Sequence, residues 1–321
     1  MPRKRKGTPI DGWIAVDKPA GMGSTQVVAA VRRILGAAKA GHGGTLDPLA
    51  TGILPVALGE ATKTVQYVMD GSKTYRWRVR FGEARSTDDL EGAVTATCER
   101  RPTAAEIEMA LPAFTGDIEQ VPPAFSAIKI GGERAYDLAR AGEAVELMPR
   151  RVHVARQTLL GMPDPDHADI ETVCGKGTYI RSLARDLSRA LGTCGTIVVL
   201  RRTACGPFNE GNAISLDKLQ ELGHSPAPRT HLLPVETALD DIPALALTEA
   251  EARRLQSGQA LSLLPVASRE PLPPLRDDHV VRAMAGSRLV ALARIDGGEL
   301  RPVRVMNLNR QETEKHDVDH A

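Results

Sequence analysis

Aromatic residues are scarce in this chain. Two Trp, four Tyr and four Phe make up 3% of its 321 residues, so each carries more information than usual. Long apolar runs are missing as well. None approaches the roughly 20 residues that a membrane-spanning helix needs. The basic opening MPRKRKG is followed by no apolar stretch, which argues against a signal peptide and makes the cytoplasm the expected compartment. Cysteine is sparse and badly spaced for metal: Cys98, Cys174, Cys194 and Cys205 form no CxxC pair and have no histidine at ligand spacing. Neither a metal site nor a disulfide framework is expected, and all four are read as buried free thiols. A net charge of +1 excludes nothing by itself.

What is present is ordinary for a globular protein: 42% hydrophobic and 25% charged residues. The charge is unevenly spread. Residues 1–85 and 147–206 are basic, whereas 86–146 and the remainder are acidic. The basic blocks could fold into one positive face, or they could pair with the acidic ones; charge alone does not choose.

The pattern GWIAVDKPAGMGSTQVVAAVRRILGA reads as a strand, a turn and a helix capped by Ser24 or Thr25, with Val27, Val28, Val31 and Leu35 as its buried stripe. GILPVALG has strand character interrupted by Pro55. KTYRWRVRFG alternates, with Tyr75, Trp77, Val79 and Phe81 on one face and Arg76, Arg78 and Arg80 on the other, as in a half-buried strand. AYDLARAGEAV is expected to be a helix ending near Gly142, and TYIRSLARDLSRALG an amphipathic one. Helices and strands alternate irregularly, with several antiparallel neighbours, which makes the chain α+β. The Pro- and Ser-containing stretch after Leu222 reads as a linker. Beyond it lies a compact β-rich module. The expected division is a basic tail over 1–9, a main domain over 10–240, a small domain over 245–308 and a tail over 309–321.

The most unusual stretch is GHGGTLDPLATGILPVALGEATK, from Gly41 to Lys63. It lacks the Gly-Lys-Ser/Thr ending of a phosphate-binding loop, and His42 has no second metal ligand near it. Its single acid before the strand, Asp47, admits three readings: a turn former before Pro48, an N-cap, or a catalytic carboxylate on a glycine-supported loop.

The stretch resembles the signature loop of the TruB-type tRNA pseudouridine synthases, GHTGTLDPxATGxLPxxxGxATK. Other segments resemble that family's motifs in the same order: DKPAGMGS, KTYRWRVRFG with STDDLEG, QVPPAFSAIKIGGERAYDLARAG, CGKGTYIRSLARDL and LRRTACGPF. The likeness is close over about residues 10–210. Gly43, Gly23, Gly175 and Phe125 depart from it, standing where Thr, Thr, Ser and Tyr are usual.

The resemblance implies a pseudouridine synthase fold, with a central mixed, largely antiparallel sheet flanked by helices and a PUA-like RNA-binding module at the C-terminus. It implies isomerisation of uridine 55 in the tRNA T loop, on a flipped base, with no metal or organic cofactor. Asp47 would be the reacting carboxylate, Arg181 its ionic partner, and Tyr75 the ring that stacks on uracil. Tyr179 and Leu200 would line the pocket with Gly44 and Thr45. His42 would fill the gap the base leaves, and Lys18 would support the loop or touch phosphate. The implied partner is the tRNA T stem-loop, with no membrane, no obligatory protein partner, and a monomer as default. A guide-RNA-dependent synthase or a non-catalytic tRNA-folding protein on the same scaffold are the competing readings.

Overall fold

The computed structural model describes residues 7–126, 128–141, 147–223, 227–269 and 276–308. Apart from residues 7–9, the expected tails lie outside them, and so does the helix end expected near Gly142. The chain opens with strand β1 (Gly12–Lys18), helix α1 (Ser24–Leu35), β2 (Ala40–His42), β3 (Thr51–Leu58), α2 (Val65–Asp70) and β4 (Lys73–Phe81). A two-stranded ribbon follows, β5 (Glu83–Arg85) and β6 (Val94–Thr97), then α3 (Ala104–Ala110) and β7 (Gly116–Gln120). Next come the small hairpin β8 (Lys129–Ile130) and β9 (Glu133–Arg134), α4 (Ala135–Arg140), and the long pair β10 (Arg150–Asp164) and β11 (His167–Cys174). Helix α5 (Ile180–Ala190), β12 (Gly195–Cys205), β13 (Phe208–Asn209), β14 (Ala213–Ser215) and α6 (Leu216–Leu222) complete the first part.

The main sheet has ten strands, with eight in the order β14-β1-β3-β12-β4-β11-β10-β7, β2 added to β3 and β13 to β12. Only the β1–β14 and β3–β12 pairings are parallel; the rest are antiparallel, as the α+β reading requires. The two-residue period of a strand explains how one sheet serves two cores. In β1, Ile14 and Val16 face a core shared with Val27 and Val31 of α1, Trp77 of β4 and Leu183 of α5. Trp13 and Ala15 face the reverse core, with Phe208 and Met306.

A second, five-stranded sheet is formed by β15 (Ala244–Ala246), β16 (Leu261–Ser262), β17 (Val280–Ala285), β18 (Arg288–Asp296) and β19 (Glu299–Val305), in the order β15-β17-β18-β19-β16. Leu289 and Leu292 join the reverse core of the main sheet. Lys63 donates to the Val305 carbonyl at 2.8 Å, and Glu60 accepts the Asn307 N–H at 2.6 Å.

Four local expectations are corrected. Strand β3 runs unbroken through Pro55, which lies opposite Ala15 and accepts the Gly43 N–H at 2.8 Å. The missing proline N–H falls where the short pairing with β2 ends, so no ladder bond is lost mid-sheet. Helix α1 is capped by Gly23 rather than Ser24 or Thr25, with the Gln26 side chain accepting the Gly23 N–H. The described part of the supposed linker after Leu222 is packed: Leu233 exchanges both backbone hydrogen bonds with Trp13, and Val235 and Leu239 are buried. Finally, Cys98 and Cys194 form a disulfide, 96 residues apart in sequence. Gly82 donates to the Cys194 carbonyl and accepts from the Cys98 N–H, which brings the end of β6 against the start of β12. Local spacing carries no signal for such a pairing. Cys174 and Cys205 are buried free thiols, as expected.

Candidate active site

Residues 43–50 form an irregular loop between β2 and β3, and it is held from four sides. Ser24 Oγ accepts the Leu46 N–H at 2.8 Å and donates to the Leu46 carbonyl at 3.0 Å. The Pro48 carbonyl receives the Gly21 N–H at 2.8 Å and Lys18 Nζ at 3.2 Å. Arg202, fully buried, donates to the carbonyls of Ile53, Thr45 and Gly44. Gly52 has φ +99°, and a Cβ there would lie 2.2 Å from the Arg202 carbonyl oxygen, so the parallel contact between β3 and β12 requires glycine. At Gly43 a Cβ would sit 2.6 Å from Val68 Cγ1, so a side chain there needs Val68 to shift.

This clamping presents Asp47 as a positioned carboxylate: its backbone carbonyl closes a turn by accepting the Ala50 N–H at 3.1 Å, as the turn-former reading expects, while its side chain points to another element. Arg181 Nε lies 3.0 Å from Asp47 Oδ2. Arg181 sits in the first turn of α5, whose N-cap residue is Tyr179. Gln120 brackets the Tyr179 backbone, accepting its N–H at 2.8 Å and donating to its carbonyl at 3.1 Å. The arginine also donates to the carbonyls of Thr87 and Phe125, both at 2.9 Å. Its second ionic partner is Asp89, with Nη1 3.4 Å from Oδ2.

Two cavities meet at Asp47. One, of about 600 Å³, is lined by Gly44, Thr45, Asp47, Tyr75, Tyr179, Arg181 and Leu200. The other, of about 550 Å³, is lined by His42, Thr45, Asp47, Asp89, Glu91 and Arg181. The structure therefore brings together eight of the nine residues singled out from sequence. Burial pushes the Tyr75 hydroxyl up to about 12, so at neutral pH it offers a flat ring and a protonated phenol. Burial, then Arg202, lowers the His42 pKa, leaving an uncharged imidazole whose buried Nδ1 has no hydrogen-bond partner.

Lys18 is the exception. It lines neither cavity and is fully buried, with Nζ donating to the carbonyls of Pro19, Met22 and Pro48. A shielded ammonium of this kind cannot reach phosphate, so of the two roles implied for it the geometry fits loop support, and its place among substrate-contacting residues falls away. Burial lowers its pKa to about 8, against the pull of Asp47. The outer arginines of β4 are paired across the sheet, Arg76 with Glu171 at 3.1 Å and Arg78 with Asp169 at 2.6 Å.

Sequence reasoning missed Asp89, Arg202, Gln120 and Ser24 as parts of this site. Asp89 stands in STDDLEG, where two adjacent acids in a turn look solvated. In the fold, Asp88 takes φ 61° and its carbonyl accepts the Ile197 N–H, which turns the Asp89 side chain inward to Thr87 Oγ1 and Arg181.

Residues 32–180 match the model of the TruB family pseudouridylate synthase N-terminal domain, and residues 181–240 that of the tRNA pseudouridylate synthase B C-terminal domain. The tRNA pseudouridine synthase B of Rhodospirillum rubrum is 57% identical over 308 residues, covering 96% of this chain and 100% of the relative. That of Bradyrhizobium diazoefficiens is 56% identical, covering 95% and 88%. Among solved structures, a Cbf5-Nop10-Gar1 complex shows a TM-score of 0.70 at 26% identity, covering 92% of this chain and 84% of its own. An archaeal box H/ACA sRNP Nop10-Cbf5 complex gives 0.71 at 25%, covering 94% and 91%. Matched by these models and relatives over nearly its whole length, the chain belongs to the TruB family of pseudouridylate synthases.

Proposed function

We propose that the protein is a tRNA pseudouridine synthase that converts uridine 55 of the T loop to pseudouridine, acting on free tRNA as a monomer in the cytoplasm. The observation that carries this reading is the Asp47–Arg181 pair at 3.0 Å, at the junction of two cavities large enough for an extruded nucleotide. Extracted bases are held against flat or apolar side chains, and Tyr75 and Leu200 supply that surface in the larger cavity. Asp47 is the reacting carboxylate, aimed by Arg181. The uracil is detached from the ribose, turned, and rejoined through C5. Tyr179, Gly44 and Thr45 close the walls around it. The neutral His42 ring takes the place of the departed base in the T loop. No redox change accompanies the isomerisation, and the scheme uses no metal or organic cofactor.

Residues 10–240 are the catalytic unit in this reading, and 245–308 a PUA-like module that adds RNA contacts. Among the described residues no helix is long and apolar enough to cross a membrane. The relatives named as tRNA enzymes match this chain far more closely than the guide-particle structures, and this favours action without guide RNA. The test is tritium release from unmodified tRNA labelled at C5 of uridine, with the purified protein alone. About one tritium per tRNA is expected. Tight binding with no release would favour the guide-dependent or non-catalytic reading.

A further inference from the structure

Ser126 lies between β7 and β8, and its backbone is fully engaged. Its N–H donates to the Ala124 carbonyl at 3.1 Å, and its carbonyl accepts the Tyr136 N–H at 3.0 Å. Arg181 Nη2 holds the adjacent Phe125 carbonyl at 2.9 Å, so the cation that aims Asp47 also fixes Ser126 beside it. The Ser126 side chain is different. It is 4% exposed, and its Oγ makes no hydrogen bond of good geometry; the Tyr179 hydroxyl stands near enough for a poorly formed hydrogen bond to it, which works against the upward push of burial on that phenol. Buried hydroxyls in folded proteins are almost always bonded, so an orphan asks for a ligand.

Its position says which part of the ligand. Only Thr45, Leu46, Asp47, Ser126 and Arg181 line both cavities, so Ser126 stands on the partition that carries the reacting carboxylate. The base belongs at the Tyr75 and Leu200 end of the larger cavity. The flanking phosphates have cations on the same cavity wall, Arg150 and Lys176. What remains at the partition is the ribose. Its 2′-hydroxyl is both donor and acceptor, as a serine hydroxyl is, and it is the group that marks RNA.

We propose that Ser126 Oγ is hydrogen-bonded to the ribose 2′-hydroxyl of the extruded uridine, making it a substrate-contacting residue through which the site distinguishes RNA from DNA. The assignment rests on the function proposed above. Phe125, where tyrosine is usual, leaves Ser126 as the hydroxyl this segment presents to the cavities.

The experiment compares T stem-loops with uridine or 2′-deoxyuridine at the target, bound to Asp47→Asn protein with and without Ser126→Ala. The Asp47 change stops turnover, so dissociation constants are defined for both RNAs. A neutral hydrogen bond predicts that removing either hydroxyl weakens binding about fivefold, and that removing both weakens it no further. Penalties that multiply, or a Ser126→Ala penalty equal on both RNAs, would overturn the assignment. So would no penalty at all. Ser126→Ala alone should keep or slightly raise Tm, because it deletes a buried hydroxyl that makes no well-formed bond. A clear fall in Tm would reveal an internal partner and also overturn it. Tritium release by the unmutated enzyme separates this from the function itself: if that is absent the function fails, and if it is present while the penalties multiply, only the Ser126 assignment fails.

Discussion

The loop that carries Asp47 and the turn that carries Asp89 reach the same guanidinium from different parts of the fold. They present very different carboxylates to it. The Asp47 side chain is 37% exposed and faces both cavities. The Asp89 side chain is 4% exposed, accepts from Thr87 Oγ1, and is held by the Asp88–Ile197 contact to β12. One carboxylate is left open to a substrate; the other is enclosed. A single cation between them can therefore be anchored by the second while it aims the first. That division predicts that the two acids fail differently when neutralised.

The largest effect is expected from Arg181→Met. It strands Asp89 as an unpaired buried charge, which should cost about 3 kcal/mol in denaturant unfolding and at least about 1,000-fold in kcat. Adding Asp89→Asn to that variant should restore much of the stability and none of the activity. Asp89→Asn alone comes next. It keeps the shape and removes the anchor, so kcat should fall about 10–100-fold with KM within about threefold; a change confined to KM would place Asp89 against the substrate instead.

Lys18 supplies a pH-dependent test. Its folded pKa, about 8, lies below the usual value near 10.5. Between those values the unfolded chain holds a proton that the folded chain has released, so stability from this group grows as pH rises from about 8 to 10.5 and is lost as pH falls through 8. The stability difference between wild type and Lys18→Met should move toward the wild type by about 1–3 kcal/mol over that range. A flat difference would mean the ammonium stays charged throughout. The smallest effect is expected at the outer face of β4. Arg76→Ala removes a half-exposed ion pair with Glu171 and should change tRNA affinity by less than about twofold.

The same contrast explains what could be read from sequence. The Asp47 loop stood out because glycines, a proline and a lone acid form a dense local pattern, but the role of Asp47 came from the resemblance to the family's signature loop, since the residues alone left three readings open. Strand β4 was legible because Trp77, Val79 and Phe81 alternate with charged arginines. Arg181 and Tyr179 came with the α5 motif. Asp89 was not legible, because an acid in a turn looks solvated until Asp88 turns it inward. Lys18 was left between loop support and phosphate contact, because lysine is almost never fully buried unless its donors are satisfied, and its three carbonyl partners meet only in the fold. Ser24 looked like a cap because serine favours that position; its hydroxyl instead spans 22 residues to Leu46. The Cys98–Cys194 bridge depends on the ribbon turning back onto β12, and no periodicity encodes that.

The most direct test of the division between the two acids is single-turnover tritium release from C5-labelled tRNA, with enzyme in excess, for Asp47→Asn and Asp89→Asn side by side. The account predicts no release by Asp47→Asn despite near-normal tRNA binding, and slow but complete release by Asp89→Asn. Release by Asp47→Asn at a rate like that of Asp89→Asn would contradict it.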